Sequence, residues 1–306
     1  MSVSQSTKLR WFERGAAAFE RTFPGLIASR FGTHVGPVYV CPVCDRAFAR
    51  QAVAAGVLTA ELVPPESFGG RELLLTCKAC NNEASSRLDA HARRKENLAD
   101  VMMGTLGRPL KVRVAHGGQK LNARLVVSTT GWALNIVKRA NDPAALAAFQ
   151  AAGPPTAGSA VNVEFLGERF ADLGAKMSWF RSGFLALFAA FGYRFSFDAA
   201  LQLVKRQLRS PDSRLIYSFT IEIPQSLPWS EWRILEIPDP PCTGVVFGRY
   251  VIVLPHRGDV TFYERLQAHI RSREGKTPTI VTAQSFELVD GEPLFGYEIG
   301  TLKVGG

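Results

Sequence analysis

Two pairs of cysteines constrain this chain more than any other feature of it. Cys41-Pro-Val-Cys44 and Cys77-Lys-Ala-Cys80 are C-x-x-C steps with 32 residues between them. Two intervening residues let the backbone form a tight knuckle that grips one metal ion with two sulfurs. Two such grips complete the tetrahedral four-sulfur set that zinc prefers, at Zn–S distances of about 2.3 Å. Met1 to Arg10 is polar and lacks the apolar core of a secretory signal, so disulfides are not the expected state of these thiols. A thioredoxin-like redox motif would account for one pair and leave the second unexplained. Cys41, Cys44, Cys77 and Cys80 are therefore expected to hold one structural zinc. Cys242 follows Pro240-Pro241 without a partner and reads as an ordinary small side chain, buried or semi-buried.

Charge narrows the choice of partner. The chain of 306 residues carries 36 basic and 27 acidic side chains, a net of +9. Residues 1–125 hold 18 basic and 10 acidic residues, and residues 126–306 hold 18 and 17, so nearly all the excess lies in the first two-fifths. A basic segment attracts phosphates through counterion release, which makes nucleic acid the first partner to consider and solubility the plain alternative. The most helical apolar stretch, about 182–193, is well short of the ~20 residues of a membrane span. The expectation is a soluble, cytoplasmic protein without a membrane partner.

The pattern along the chain is α+β. Leu9, Phe12, Ala16, Phe19 and Phe23 recur at helical spacing, with Lys8, Arg10, Arg14 and Arg21 on the other sides. Leu58 to Val63 reads as a short strand closed by Pro64-Pro65. Gly69-Gly70 supplies a turn, and Arg71 to Thr76 is a second strand. From Cys77 to about Met103 the period becomes helical. This predicts an N-terminal helix and a zinc-binding domain over residues 1–104. A larger α+β domain would then occupy residues 105–306, with a loop or linker near 141–160, where Ala, Gly and Pro accumulate. Strands are expected at 111–115, 122–128, 133–137, 215–223, 232–237, 244–254 and 279–300. Helices are expected at 178–191, 196–208 and 260–273.

Knuckle, hairpin and helix in this order resemble the four-cysteine HNH endonucleases, whose zinc domain is a treble clef of the ββα-metal type. The matching text is CPVC at 41–44, AELVPPESFGG at 60–70 and LTCKACNNEASSRLDAH at 75–91. The segment RSGFLALFAAFGYRFSF at 181–197 is similar to a helical part that follows this domain in bacterial proteins. The resemblance implies a phosphodiester hydrolase in which a divalent ion, Mg²⁺ or Mn²⁺, holds the scissile phosphate while a neutral imidazole takes a proton from water. Carried over position by position, Glu61 and Asn81 fall on the ligands of that ion, and the general base falls on Leu62.

Leucine can neither accept a proton nor orient a water, and losing a general base typically costs about 10²–10⁴ in rate. Glu72 stands where the family has an orienting Asn, and Ser85 where it has a Gly. The resemblance therefore implies a nucleic-acid-binding protein, acting on DNA, whose hydrolysis is lost or weakened. The alternative is an active endonuclease whose base comes from elsewhere in the fold. Lys78, Arg87, Arg93, Arg94 and Lys95 give the helix after the second knuckle a basic character suited to phosphate contact. Each of these residues has a simpler reading: a solvated face for the cations, a surface ion pair for Glu61, a helix cap for Asn81.

Overall fold

The structure is a computed structural model, and it describes residues 3–31, 36–103, 109–128, 131–153, 161–166, 170–217, 219–223, 232–272 and 284–285. The chain divides into two compact units. One joins Met1–Asp89 to Leu173–Gly306, and the other is Ala90–Asp172. The boundary anticipated at 104/105 is not where the contacts divide the chain. The zinc region shares its unit with the C-terminal half, and an insertion of mixed helix and strand separates the two in sequence.

The first unit opens with α1 (Gln5–Thr22), which starts where the Ser4 hydroxyl accepts from the Thr7 amide at 3.2 Å. It buries Trp11, Phe12, Gly15, Ala16, Ala18 and Phe19, one stripe of the 3.6-residue period. Gly15 is required there, because a Cβ would lie 2.4 Å from the Tyr39 ring. A short α2 (Leu26–Phe31) follows. The hairpin of β1 (Val38–Val40) and β2 (Ala47–Ala49) carries the first knuckle between its strands, and α3 (Gln51–Ala54) comes next. A second antiparallel hairpin pairs β3 (Leu58–Val63) with β4 (Arg71–Cys77), with a register shift between Glu61 and Leu62. At its turn, a Cβ on Gly70 would sit 1.6 Å from the Pro64 carbonyl oxygen, so only glycine fits. Helix α4 (Lys78–Ala84) runs into a π-helical turn, Ser85–Asp89.

The second unit begins with α5 (Ala90–Met102). Strands β5 (Leu110–His116), β6 (Gln119–Ser128) and β7 (Gly131–Ile136) follow, then α6 (Pro143–Ala151) and β8 (Asn162–Phe165). The sheet is antiparallel, in the order β7-β6-β5-β8. Strict alternation sends Leu110, Val112, Val114, Ala123, Leu125 and Val127 into a core shared with Val101 of α5. The expected linker at 141–160 is only partly irregular. Asp142 caps α6, Pro143 takes its first turn, and five alanines continue it. Residues 154–160 lie outside the described part.

Helix α7 (Asp172–Phe191) carries the chain back, and every residue from Met177 to Ala190 is buried. A helix buried on every side can only be a central one. It stops at Gly192, whose φ of 66° no other residue adopts as readily, before α8 (Tyr193–Ser196) and α9 (Gln202–Arg209). Then come β9 (Thr220–Glu222), β10 (Arg233–Pro238), β11 (Pro241–Phe247), β12 (Tyr250–Leu254), α10 (Phe262–Ser272) and β13 (Gln284–Ser285). The sheet order is β13-β10-β11-β12-β9. Tyr250 and Ile252 face α7, where they meet Trp179 and Gly183. Val251 and Val253 face Phe262 and Leu266 of α10. Cys242 is buried in that second layer, as its sequence context suggested, and burial pushes its thiol up to about 12. Of the strand anticipated at 279–300, only 284–285 falls within the described residues. No helix among the described residues is long and apolar enough to cross a membrane.

Candidate metal centre

The first knuckle is closed by its own backbone. The Asp45 amide donates to Cys41 O at 3.0 Å and the Cys41 amide to Arg46 O at 2.9 Å, with Asp45 in the left-handed region at φ 61°. The second pair is placed by the end of the β3–β4 hairpin. Cys77 is the N-cap of α4, and Cys80 lies in that helix's first turn. The four sulfurs lie within 4.8 Å of one another, and the Cys44 and Cys77 Sγ atoms are 3.7 Å apart. A tetrahedral ion with Zn–S of about 2.3 Å sets its sulfurs about 3.8 Å apart, so the donor set fits zinc.

The titration behaviour agrees with this. Crowded sulfurs cannot all ionise without a cation. A hydrogen bond from Cys41 draws Cys44 down to about 7 and draws Cys77 down as well. Cys41, hydrogen-bonded to Cys44, and Cys80, hydrogen-bonded to Cys41, are pushed up. A dication removes that conflict and holds all four as thiolates. Four thiolates on Zn²⁺ leave a net charge of −2, and Arg46, Arg181 and Arg209 line the same cavity of about 170 Å³.

The C-terminal helices of this unit hold the knuckle from outside. The Tyr193 hydroxyl accepts from the Val40 amide at 3.1 Å and donates to Val40 O at 2.8 Å. Arg209 donates to Val43 O at 3.1 Å and pairs with Asp45 at 2.8 Å. Lys205, fully buried, pairs with the same carboxylate, donates to Ser196 O at 3.0 Å and lies 4.2 Å from the centre of the Phe197 ring. Burial lowers the Lys205 pKa, and the hydrogen bond that it donates to Asp45 offsets part of that. Tyr193, Lys205 and Arg209 were not visible as partners of the knuckle in the sequence. The only trace was the basic run on one amphipathic helix.

Glu61 on β3 and Asn81 on α4 have different roles from those of a divalent-ion pair. Glu61 is 4% exposed and Arg181 6%. The Arg181 guanidinium meets the carboxylate with both forks, Nη1 to Oε1 at 2.5 Å and Nη2 to Oε2 at 2.9 Å. Oε2 also accepts from the Thr76 hydroxyl at 2.6 Å, and Nη2 reaches Cys80 O at 3.4 Å. Burial alone would lower the Arg181 pKa, but the Glu61 charge and hydrogen bonds raise it on balance. Neither oxygen of Glu61 is open to a cation while this fork is made. Asn81 donates from Nδ2 to Ala60 O and to Thr59 Oγ1, both at 3.1 Å. A carbonyl can only accept, so the amide oxygen is turned away from Ala60 and the side chain works as a strut between α4 and β3. Leu62 is half-buried.

The chain matches no protein-family model, no curated protein and no solved structure.

Among the described residues, the four cysteines are the only His, Cys, Asp or Glu group of three or more close enough to hold a metal. Three histidines are engaged elsewhere: His91 Nδ1 accepts from the Ala171 amide at 3.1 Å, His116 packs edge-on to Phe149, and His269 lies 3.9 Å from Asp239, while His256 Nε2 is buried without a hydrogen-bond partner among the described residues. His34 is outside the described residues. Of the predicted phosphate contacts, Arg87 is exposed but paired with Glu83 at 3.0 Å and Asp212 at 2.6 Å. Lys95 is half-buried on Asp172 at 2.8 Å. Arg94 is exposed and has a partner of its own. Lys78 and Arg93 are exposed without an ion pair among the described residues.

Proposed function

We propose that this is a nucleic-acid-binding protein built on a structural zinc, with an HNH-like treble-clef module that no longer hydrolyses phosphodiesters. The observation that carries the reading is the Glu61–Arg181 fork. The carboxylate that would hold Mg²⁺ or Mn²⁺ is neutralised by a buried guanidinium from the same unit. Leu62 stands at the position of the proton acceptor, where it can do no acid–base work. The zinc would organise both hairpins, and the positive excess of the chain would supply affinity through counterion release.

The test is a plasmid assay with zinc-loaded protein over a series of Mg²⁺ and Mn²⁺ concentrations. The expected result is intact plasmid whose mobility shifts, with the shift lost as salt rises. Cutting that disappears in Glu61→Ala would overturn the reading in favour of an active endonuclease.

A further inference from the structure

We propose that the outer face of the β7-β6-β5-β8 sheet is where a nucleic-acid backbone docks. This rests on the reading of the protein as nucleic-acid binding and assigns that binding to the second unit. Alternation puts the even residues of β5 and the odd residues of β6 in the core, so Lys111, Arg113, Lys120 and Arg124 point outward. All four are exposed. The register sets Lys111 directly opposite Arg124, Lys120 opposite Ala115, and Arg113 between Asn122 and Glu164. Glu164, 3.5 Å from Arg113, is the one acid among the described residues of that face.

Like charges directly opposed across a sheet sit about 4.5–5.5 Å apart at Cβ and destabilise it. A face that needed only solubility would mix its signs. This one retains the repulsion, and an external polyanion supplies what it lacks. The concentration of charge extends to the whole unit: residues 90–172 carry eleven basic and six acidic side chains, a net of +5, more than half of the chain's +9. The remaining described outward positions of β5, β6 and β7 are small or polar apart from Val126, which is half-buried. None is a large apolar side chain of the kind that enters an acyl layer, which sets a lipid surface aside. None is aromatic either; Trp132 of β7 is exposed but stands opposite the core residue Val127 and so belongs to the other face, which leaves phosphates and not stacked bases as the contact here. Binding is therefore expected to be indifferent to sequence and steep in salt.

The experiment measures anisotropy of labelled duplex DNA and single-stranded RNA with the zinc-loaded full chain, titrated with KCl. The Lys111→Gln, Arg113→Gln, Lys120→Gln, Arg124→Gln variant is compared with wild type and with Lys78→Gln, Arg93→Gln. All these positions are exposed, and a cooperative thermal transition no lower than that of wild type confirms folding. The sheet variant is expected to lose affinity at least about tenfold at 0.1 M salt. The slope of log K against log salt should shrink by about 3 to 4 on duplex, at roughly 0.9 per lost phosphate contact. A sheet variant that binds as wild type, with the loss appearing in the helix variant, overturns the docking face and leaves the proposed function standing. A wild type that binds neither nucleic acid overturns both. So does binding to vesicles rich in anionic lipid that needs the four cations while nucleic acid does not bind.

Discussion

Replacing Arg181 by methionine tests whether the buried fork holds the zinc module to the central helix. The variant keeps an unbranched chain of similar length but leaves Glu61, 4% exposed, with a single hydroxyl donor from Thr76. Breaking one partner of a buried pair costs about 3–5 kcal/mol, because the surviving charge stays desolvated. Against a total stability of about 5–15 kcal/mol that is a large fraction. At roughly 2–4 °C per kcal/mol for a unit of this size, the transition should fall by about 6–20 °C. Glu61→Met alone strands the guanidinium and should cost a similar amount. The double variant Glu61→Met, Arg181→Met replaces both charges with apolar chains, and such swaps are often neutral or stabilising. The two single losses should therefore fail to add, with a coupling of about 3 kcal/mol or more. The assay is denaturant unfolding at pH 7.5 with zinc in excess, for wild type and all three variants. Single variants that each cost less than about 1 kcal/mol would mean that water reaches the pair as it would at a surface, and the argument that Glu61 is closed to a cation would fail.

The remaining predictions concern the metal and its surroundings. Elemental analysis should find one zinc per chain, and chelation should raise hydrogen exchange across residues 38–89, since comparable small sites supply ~10–16 kcal/mol; protection that survives metal removal would contradict this. Leu62→His alone is expected to leave plasmid intact with Mg²⁺ or Mn²⁺, because the fork on Glu61 is untouched; nicking by that variant would show that a cation reaches the carboxylate after all. Burial lifts the Asp89 carboxyl more than the Ser178 hydroxyl and the Arg181 charge lower it, so its folded pKa stands above its unfolded one. Its charge then opposes folding increasingly as pH rises through the carboxylate range, and Asp89→Asn should gain more stability over wild type at pH 7.5 than at pH 5 in paired unfolding curves. Lys111→Glu should place an acid opposite Arg124 and stabilise the second unit by ~0.2–1 kcal/mol in thermal unfolding while weakening nucleic-acid binding; a loss of stability would argue against the like-charge repulsion.

Local pattern was enough for much of this molecule. The spacing of Cys41, Cys44, Cys77 and Cys80 marked the four-cysteine cluster that could hold a metal, because a knuckle needs only a few residues of chain to form. The strands expected at 58–63, 71–76, 111–115 and 122–128 fall within the observed pairs Leu58–Val63 with Arg71–Cys77 and Leu110–His116 with Gln119–Ser128, and the switch to a 3.6-residue period placed the helix after Cys77. What one dimension could not supply was the partner of each buried charge. Glu61 finds Arg181 at a separation of 120 residues, and Lys205 finds Asp45 at 160. No periodicity spans such distances, and an insertion of a whole unit intervenes. A carboxylate on a strand becomes a metal ligand or half of an ion pair according to what the packed helix brings against it. That choice is made by desolvation in the folded core, which leaves no mark on the residues flanking Glu61.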